Sequence, residues 1–199
     1  MFRRTDCHFS LSREKMYTTK TKWFNVAEGD YVYKPEAEDL INAKEETVVL
    51  DIETPRVCFR SGESDAAKFH GYQYLAHDDV FPFYEMRAAA EDLRYDADGK
   101  KRTEKEMETA FDAVSCRKRV RAQLQTLRNT KQRHAVLSAF GCGAFGNPAE
   151  EVAKIYAAQL KVYEDDFDCA AFAIFAPGYG PSDNYDKFRQ IFAGQLAPM

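Results

Sequence analysis

Nowhere in this sequence do apolar residues run to the ~20 that a helix needs to cross a bilayer, so a membrane-spanning helix is not expected. Cysteine is sparse and scattered, at positions 7, 58, 116, 142 and 169. An odd number without a Cys-x-x-Cys pair gives no disulfide framework and fits reduced thiols, hence a cytoplasmic setting, with the nucleus as the secondary alternative. The formal net charge is −4, so no global basic field points to nucleic acid as a partner. His70, His77 and Cys58 lack the spacing of metal ligands, and neither a metal nor a resident cofactor is expected. Asp96-Ala97-Asp98-Gly99 begins like a calcium loop but lacks the later ligands and the closing glutamate, so it reads as a turn. Residues 1–24 hold six Lys and Arg against Asp6 and Glu14, a composition mildly like an organellar transit peptide. There is no secretory signal core, repeat or low-complexity tract.

What is present is material for a core. The 199 residues are 45% hydrophobic, with 15 Phe and 11 Tyr, enough for one α/β domain spanning 1–199. Short β-branched or aromatic runs at 31–33, 47–52 and 56–60 read as strands. Residues 61–65 read as loop, 81–84 as extended, and Ala88-Ala89-Ala90 as leading into a short helix. A long helix is expected from about 103 to 128, with Ala110, Val114, Val120, Leu124 and Leu127 on one side. Strand, loop, helix and strand follow over 135–176, and this late βαβ pattern beside earlier mixed strands argues a mixed sheet.

The chemistry concentrates in Gly141-Cys142-Gly143-Ala144-Phe145-Gly146-Asn147-Pro148, between an apolar run at 135–140 and an amphipathic stretch at 149–163. Glycines here let the backbone take φ > 0 and approach a ligand closely. The helix that follows offers free N–H groups and a positive dipole end to an anion, usually a phosphate. Asn147 suits the N-cap, Pro148 the first helical position, and Glu150 stands where a capping box places its glutamate. Val152, Ile155, Tyr156, Leu160 and Tyr163 form the stripe that faces a core. The bland alternative is a tight strand–helix turn that holds nothing.

Two common nucleotide loops fit badly. Gly141, Gly143 and Gly146 satisfy G-x-G-x-x-G, but the next strand, 170–176, ends in Pro177-Gly178 with no carboxylate for a ribose. A dinucleotide-binding oxidoreductase using this loop is therefore a minor alternative. A Walker-type loop needs Lys-Ser/Thr where Asn147-Pro148 stands.

Residues 135–156, from the Ala135-Val136-Leu137 strand through the loop to Ile155-Tyr156, resemble the signature of the microbial-type poly(ADP-ribose) glycohydrolase domain, a macrodomain-related fold. The resemblance continues at 172–175 and 184–192 and more weakly at 2–12, 54–60 and 86–93. It implies an α/β, macrodomain-like mixed β-sheet flanked by helices, with ADP-ribose or poly(ADP-ribose) as ligand and ADP-ribosylated proteins as partners. It further implies that Gly141, Cys142, Gly143, Ala144, Phe145, Gly146 and Asn147 hold the diphosphate, with Phe145 packed on the ribose nearer the scissile bond. The family's chemistry is cleavage of the ADP-ribose glycosidic bond by a glutamate in a Gln-Glu-Glu element, which lies after a further glycine-rich loop and before the region matched by Phe2-Arg3-Arg4-Thr5. No glutamine of this sequence is followed by two glutamates, no three glycines are adjacent, and Glu45-Glu46 follows Lys44. The expectation is a chain without the first strand or strands and the catalytic loop, by truncation, misplaced start or loss. It is expected to bind ADP-ribose as a non-catalytic member, the other reading being a structural or interaction module that keeps only the scaffold.

Two lesser candidates complete the reading. Cys142 at a helix N-terminus is a conceivable low-pKa nucleophile, but the nearest histidine in sequence, His134, lies at the far end of the preceding strand, ~20 Å away over seven residues. Arg117, Lys118, Arg119, Arg121, Arg128, Lys131 and Arg133 form one basic cluster, read first as a solvated helix face and second as a contact for a polyanion.

Overall fold

A computed structural model of the chain describes residues 22–25, 30–33, 46–53, 55–63, 72–174 and 183–193. The sequence expectations at Phe2 to Ser12, at His70 and at 175–178 lie outside these. The described chain falls into two compact units, divided at Arg87 and Ala88 apart from residues 46–47, which belong with the second.

Apart from a 3-10 turn at His77–Asp79, the regular elements described in the first unit are strands. β1 (Lys22–Asn25) and β2 (Asp30–Tyr33) pair antiparallel with Trp23 opposite Val32. β3 (Val48–Leu50) pairs antiparallel with β1, Phe24 opposite Leu50. Val48, Val49 and Leu50 are each 1% exposed, so this continuous apolar run is an inner strand covered on both faces. β4 (Arg56–Cys58) and β5 (Arg60–Glu63) follow, and β5 pairs with β6 (Tyr72–Tyr74) through an irregular register. The start of the expected loop at 61–65 is thus strand, because Arg60 and Glu63 find partners in Tyr74 and Tyr72. β7 (Phe81–Phe83) pairs antiparallel with β4 and carries Pro82, which a two-stranded edge tolerates because no further strand needs its missing N–H. β8 (Met86–Ala88) adds to β3 and gives the sheet order β2-β1-β3-β8. The short helix expected after Ala88 does not form, since sheet pairing at the chain's entry to Ala89 overrides the helix preference of the alanines.

The second unit carries the helices. Tyr95 bridges Lys101 around the expected 96–100 turn, in which Asp96 Oδ1 accepts from the N–H of Asp98 (3.0 Å) and Lys100 (2.8 Å). The single long helix expected over 103–128 is two: α1 (Glu104–Ala110) and α2 (Ala113–Asn129). Phe111 turns extended between them, and Asp112 caps α2 by accepting from Val114 N (2.8 Å) and Ser115 N (3.2 Å). A strong N-cap starts a helix afresh and so ends the one before it. The break also moves the buried stripe: Val120, Leu124 and Leu127 are core, while Val114 is 61% exposed.

β9 (His134–Leu137), α3 (Ala149–Val162) and β10 (Cys169–Phe172) form the expected βαβ element, with β9 and β10 parallel and Phe172 opposite Leu137. α4 (Asn184–Phe192) packs on α3. Val152, Ile155, Tyr156 and Tyr163 are buried as the periodicity demands. The Phe172 ring gathers Tyr156 (5.2 Å, edge-on), Phe188 (5.2 Å) and Phe192 (4.9 Å), joining β10, α3 and α4 in one aromatic cluster. Among the described residues no helix is long and apolar enough to cross a membrane. Replacing Phe172 with Ala is expected to cost about 3–5 kcal/mol in urea denaturation followed by circular dichroism. A loss under about 1 kcal/mol would show that these elements are not held by that ring.

Candidate functional site

The glycine-rich loop leaves the carboxyl end of β9, the position at which open α/β sheets bind ligands. Three backbone bonds fold it back on itself: Cys142 N to Ala139 O (3.0 Å), Gly146 N to Gly143 O (3.2 Å) and Asn147 N to Gly141 O (3.0 Å). Gly141 (φ +76°) and Gly146 (φ +71°) lie in the left-handed region that other residues avoid. A Cβ at Gly141 would stand 2.6 Å from both Ala90 Cβ and Asn147 Nδ2, and one at Gly146 would collide with Met107 of α1. Gly143 differs, for a Cβ there would meet nothing within 4 Å. Two glycines thus serve the fold, and the third stands at an exposed apex where the fold does not require it.

Asn147 is buried and works differently from the expectation. Its Nδ2 donates to Glu91 O (2.8 Å) and Gly141 O (3.2 Å), so the side chain ties the loop to the segment after β8 instead of capping α3. Pro148 takes the N-cap position, where it offers no side-chain bond, and the expected capping box does not form. Glu150 turns to Lys154 (2.7 Å), whose ammonium holds its carboxyl below the usual range. The first amides of α3 therefore keep the free donors of an uncapped helix start. At the apex the N–H groups of Gly143, Ala144 and Phe145 donate to no acceptor among the described residues. Consecutive unpaired amides and an uncapped helix start are the kinds of donors that anion sites use.

Neighbours fix the rest of the loop. Leu93 N donates to Phe145 O (3.0 Å), and Asn184 Nδ2, from the first turn of α4, donates to Cys142 O (3.4 Å). The half-buried Phe145 ring lies 5.4 Å from the Arg94 guanidinium, which Asp92 grips through two bonds of 2.8 and 2.6 Å. That grip lowers the Asp92 carboxyl below its usual range. Sequence reasoning missed Arg94, Asp92 and Asn184. The pairing of Asp92 with Arg94 two residues on was the available signal.

The remaining candidates separate. Burial pushes the Cys142 thiol up to about 12, and its Sγ points to Phe140 O at 3.6 Å, so it is not the reactive thiolate that its helix-terminal position allows. The basic cluster divides into separate roles: Arg119 donates to Ala89 O (2.9 Å), Arg128 faces Asp166 (3.3 Å) and Arg133 grips Asp168 (2.6 Å). Cys58 is buried in β4, whereas His77 is exposed on a 3-10 turn. No group of three or more potential metal ligands occurs among the described residues. Replacing Asn147 with Ala is expected to cost about 1–3 kcal/mol of stability through two lost hydrogen bonds. Asn147→Asp should cost more, because a carboxylate gives two carbonyls no donor. Equal denaturation midpoints for parent and both variants would refute the tie.

No protein-family model and no curated protein matches this sequence. Solved structures do match. A poly(ADP-ribose) glycohydrolase from Deinococcus radiodurans, in complex with ADP-ribose, aligns over 98% of this chain and 66% of that one, at 21% identity and a TM-score of 0.64. Another crystal form aligns over 82% and 62%, at 20% identity and a TM-score of 0.59. The Thermomonospora curvata enzyme aligns over 78% and 50%, at 23% identity and a TM-score of 0.55. The chain thus spans from half to just under two thirds of the length of these structures. At these identities the likeness is one of architecture: the chain has the α/β, macrodomain-like fold of the microbial poly(ADP-ribose) glycohydrolases.

Proposed function

We propose that residues 1–199 form one ADP-ribose-binding domain in which the 141–147 loop holds the diphosphate. The observation that carries the reading is the apex, where Gly143, Ala144 and Phe145 present unpaired amides next to the uncapped start of α3. A diphosphate supplies the acceptors that these donors lack. In this reading Phe145, beside the Arg94 guanidinium, packs on the adjoining ribose, and the bonds from Asn147 and Asn184 fix the loop backbone. Further support is that Deinococcus radiodurans structures of this fold were solved in complex with ADP-ribose. ADP-ribosylated proteins are the partners this reading implies. A dinucleotide-using oxidoreductase is not favoured by the fold.

Binding without turnover is part of the proposal. Cleavage of a glycosidic bond needs a positioned carboxyl to protonate the leaving oxygen or activate water, worth about 10²–10⁴-fold. Four acidic side chains near the loop are committed elsewhere. Asp92 is bound to Arg94, Glu150 and Glu151 share Lys154, and Glu106 closes the capping box of α1. Asp92, Glu106 and Glu150 lie below their ordinary range, the wrong direction for an acid.

Gly143→Val tests the binding half cleanly, because a side chain there disturbs no neighbour. It is expected to weaken ADP-ribose binding by about 2 kcal/mol or more in calorimetry, the scale of buried hydrogen bonds left unmade, without any loss of thermal stability. Equal affinity, or no binding by the parent chain, would remove the assigned role and leave the scaffold-only module. The catalytic half is tested by incubating the purified chain with poly(ADP-ribosyl)ated protein. No release at an enzymatic rate is expected, and release abolished by changing one of the chain's own carboxylates would overturn it.

A further inference from the structure

Across α1 from the loop lies an open cleft of about 450 Å³, lined by the 96–103 hairpin and the flank of α1. Four cations, Lys100, Lys101, Arg102 and Lys105, meet two carboxylates there, Asp96 and Glu106. Both acids are occupied with their own backbone: Asp96 accepts from Asp98 N and Lys100 N, and Glu106 Oε2 accepts from Thr103 N (2.7 Å) and Oγ1 (2.8 Å). Arg102 is spent as well, donating to Leu93 O (3.2 Å) and Tyr95 O (2.6 Å), which clamps the hairpin. Lys100, Lys101 and Lys105 have no ion pair among the described residues, although carboxylates stand beside them. A clamped hairpin and a capped helix thus hold three ammonium groups outside any ion pair, Lys100 within electrostatic reach of Glu106, around a space within the size range of ligand pockets.

The position of the cleft suggests its occupant. Met107, two residues past Lys105, lies over Gly146. One helix therefore separates the cleft from the phosphate loop, a distance of about 10 Å, the width of a helix. A nucleoside-sized unit spans that gap. We propose that the cleft is a second anion subsite, which takes a phosphate of the adjoining unit when the ligand at the loop belongs to an ADP-ribose polymer. This rests on the loop reading above, and the lysines would make the chain a polymer binder instead of a monomer binder.

The experiment uses the full chain, labelled for amide NMR and titrated with inorganic pyrophosphate, ADP-ribose and a short ADP-ribose oligomer. The 143–145 amides report on the loop and the 100–105 amides on the cleft. In the parent both sets should shift saturably with pyrophosphate, and the oligomer should bind at least about 10-fold tighter than the monomer, the gain expected from linked sites. In K101E/K105E the cleft amides should no longer respond and the oligomer preference should fall to within about twofold, with monomer affinity unchanged. Cleft amides that stay put in the parent, or an oligomer preference that survives the substitutions, would overturn the subsite. Loop amides that stay put while cleft amides move would instead sink the loop assignment, and the polymer arrangement with it. An RNA oligonucleotide of equal charge that binds as tightly as the ADP-ribose oligomer would overturn the choice of polymer.

Discussion

The amide of Asn147 is the contact on which the candidate site depends. Two carbonyl oxygens, those of Glu91 and Gly141, converge on one Nδ2 in a buried setting. Without that donor the oxygen of Glu91 would lose its partner, at a cost of about 1–3 kcal/mol, while that of Gly141 would keep only the backbone N–H of Asn147. The bond to Glu91 joins segments that are 56 residues apart, so it sets where the loop begins relative to the strand-exit segment after β8. Because Asn147 points inward, it cannot also cap α3. The helix start is left open toward the outside by the same contact that closes the loop on the inside.

That dual role explains which parts were legible beforehand. The βαβ element was readable because its signals are local: an apolar run, three glycines, then Val152, Ile155 and Tyr156 at helical spacing, all buried as expected. Asn147 was misread for an equally physical reason. An asparagine before a helix is the usual N-cap, and nothing in the neighbouring sequence reveals an acceptor at Glu91. The same holds for β8, where alanines favour a helix but sheet pairing with β3 decides. The break between α1 and α2 had a local sign in Asp112, but an acid inside an amphipathic run is ordinary until its cap geometry is seen.

Charge follows a consistent rule around the loop. Four acidic side chains near it are matched to a cation or to a backbone donor, Asp92 to Arg94, Glu150 and Glu151 to Lys154, and Glu106 to Thr103. Matching of this kind keeps a carboxylate ionised, which suits a surface that tolerates a diphosphate only if negative charge nearby is already neutralised. It is the opposite of the environment that makes an acid catalyst, where a carboxyl is isolated from cations so that it holds its proton at neutral pH. In the proposed reading this setting suits binding of an anion more than proton transfer.

The three glycines separate fold from function within a single hexapeptide. Gly141 and Gly146 combine positive φ with side-chain crowding from Ala90, Asn147 and Met107, so any protein keeping this loop must keep them, ligand or none. Their presence alone would fit an idle scaffold. Gly143 has neither constraint: its φ is not in the left-handed region, and the space beside it is open. A residue with a Cβ would cost the folded state nothing by contact and would restrict the unfolded chain, which is a stabilising exchange of about 0.4–1 kcal/mol. Glycine at that apex is a choice that stability does not explain. The proposed diphosphate role accounts for it, since glycine lets a ligand's phosphates approach the backbone closely.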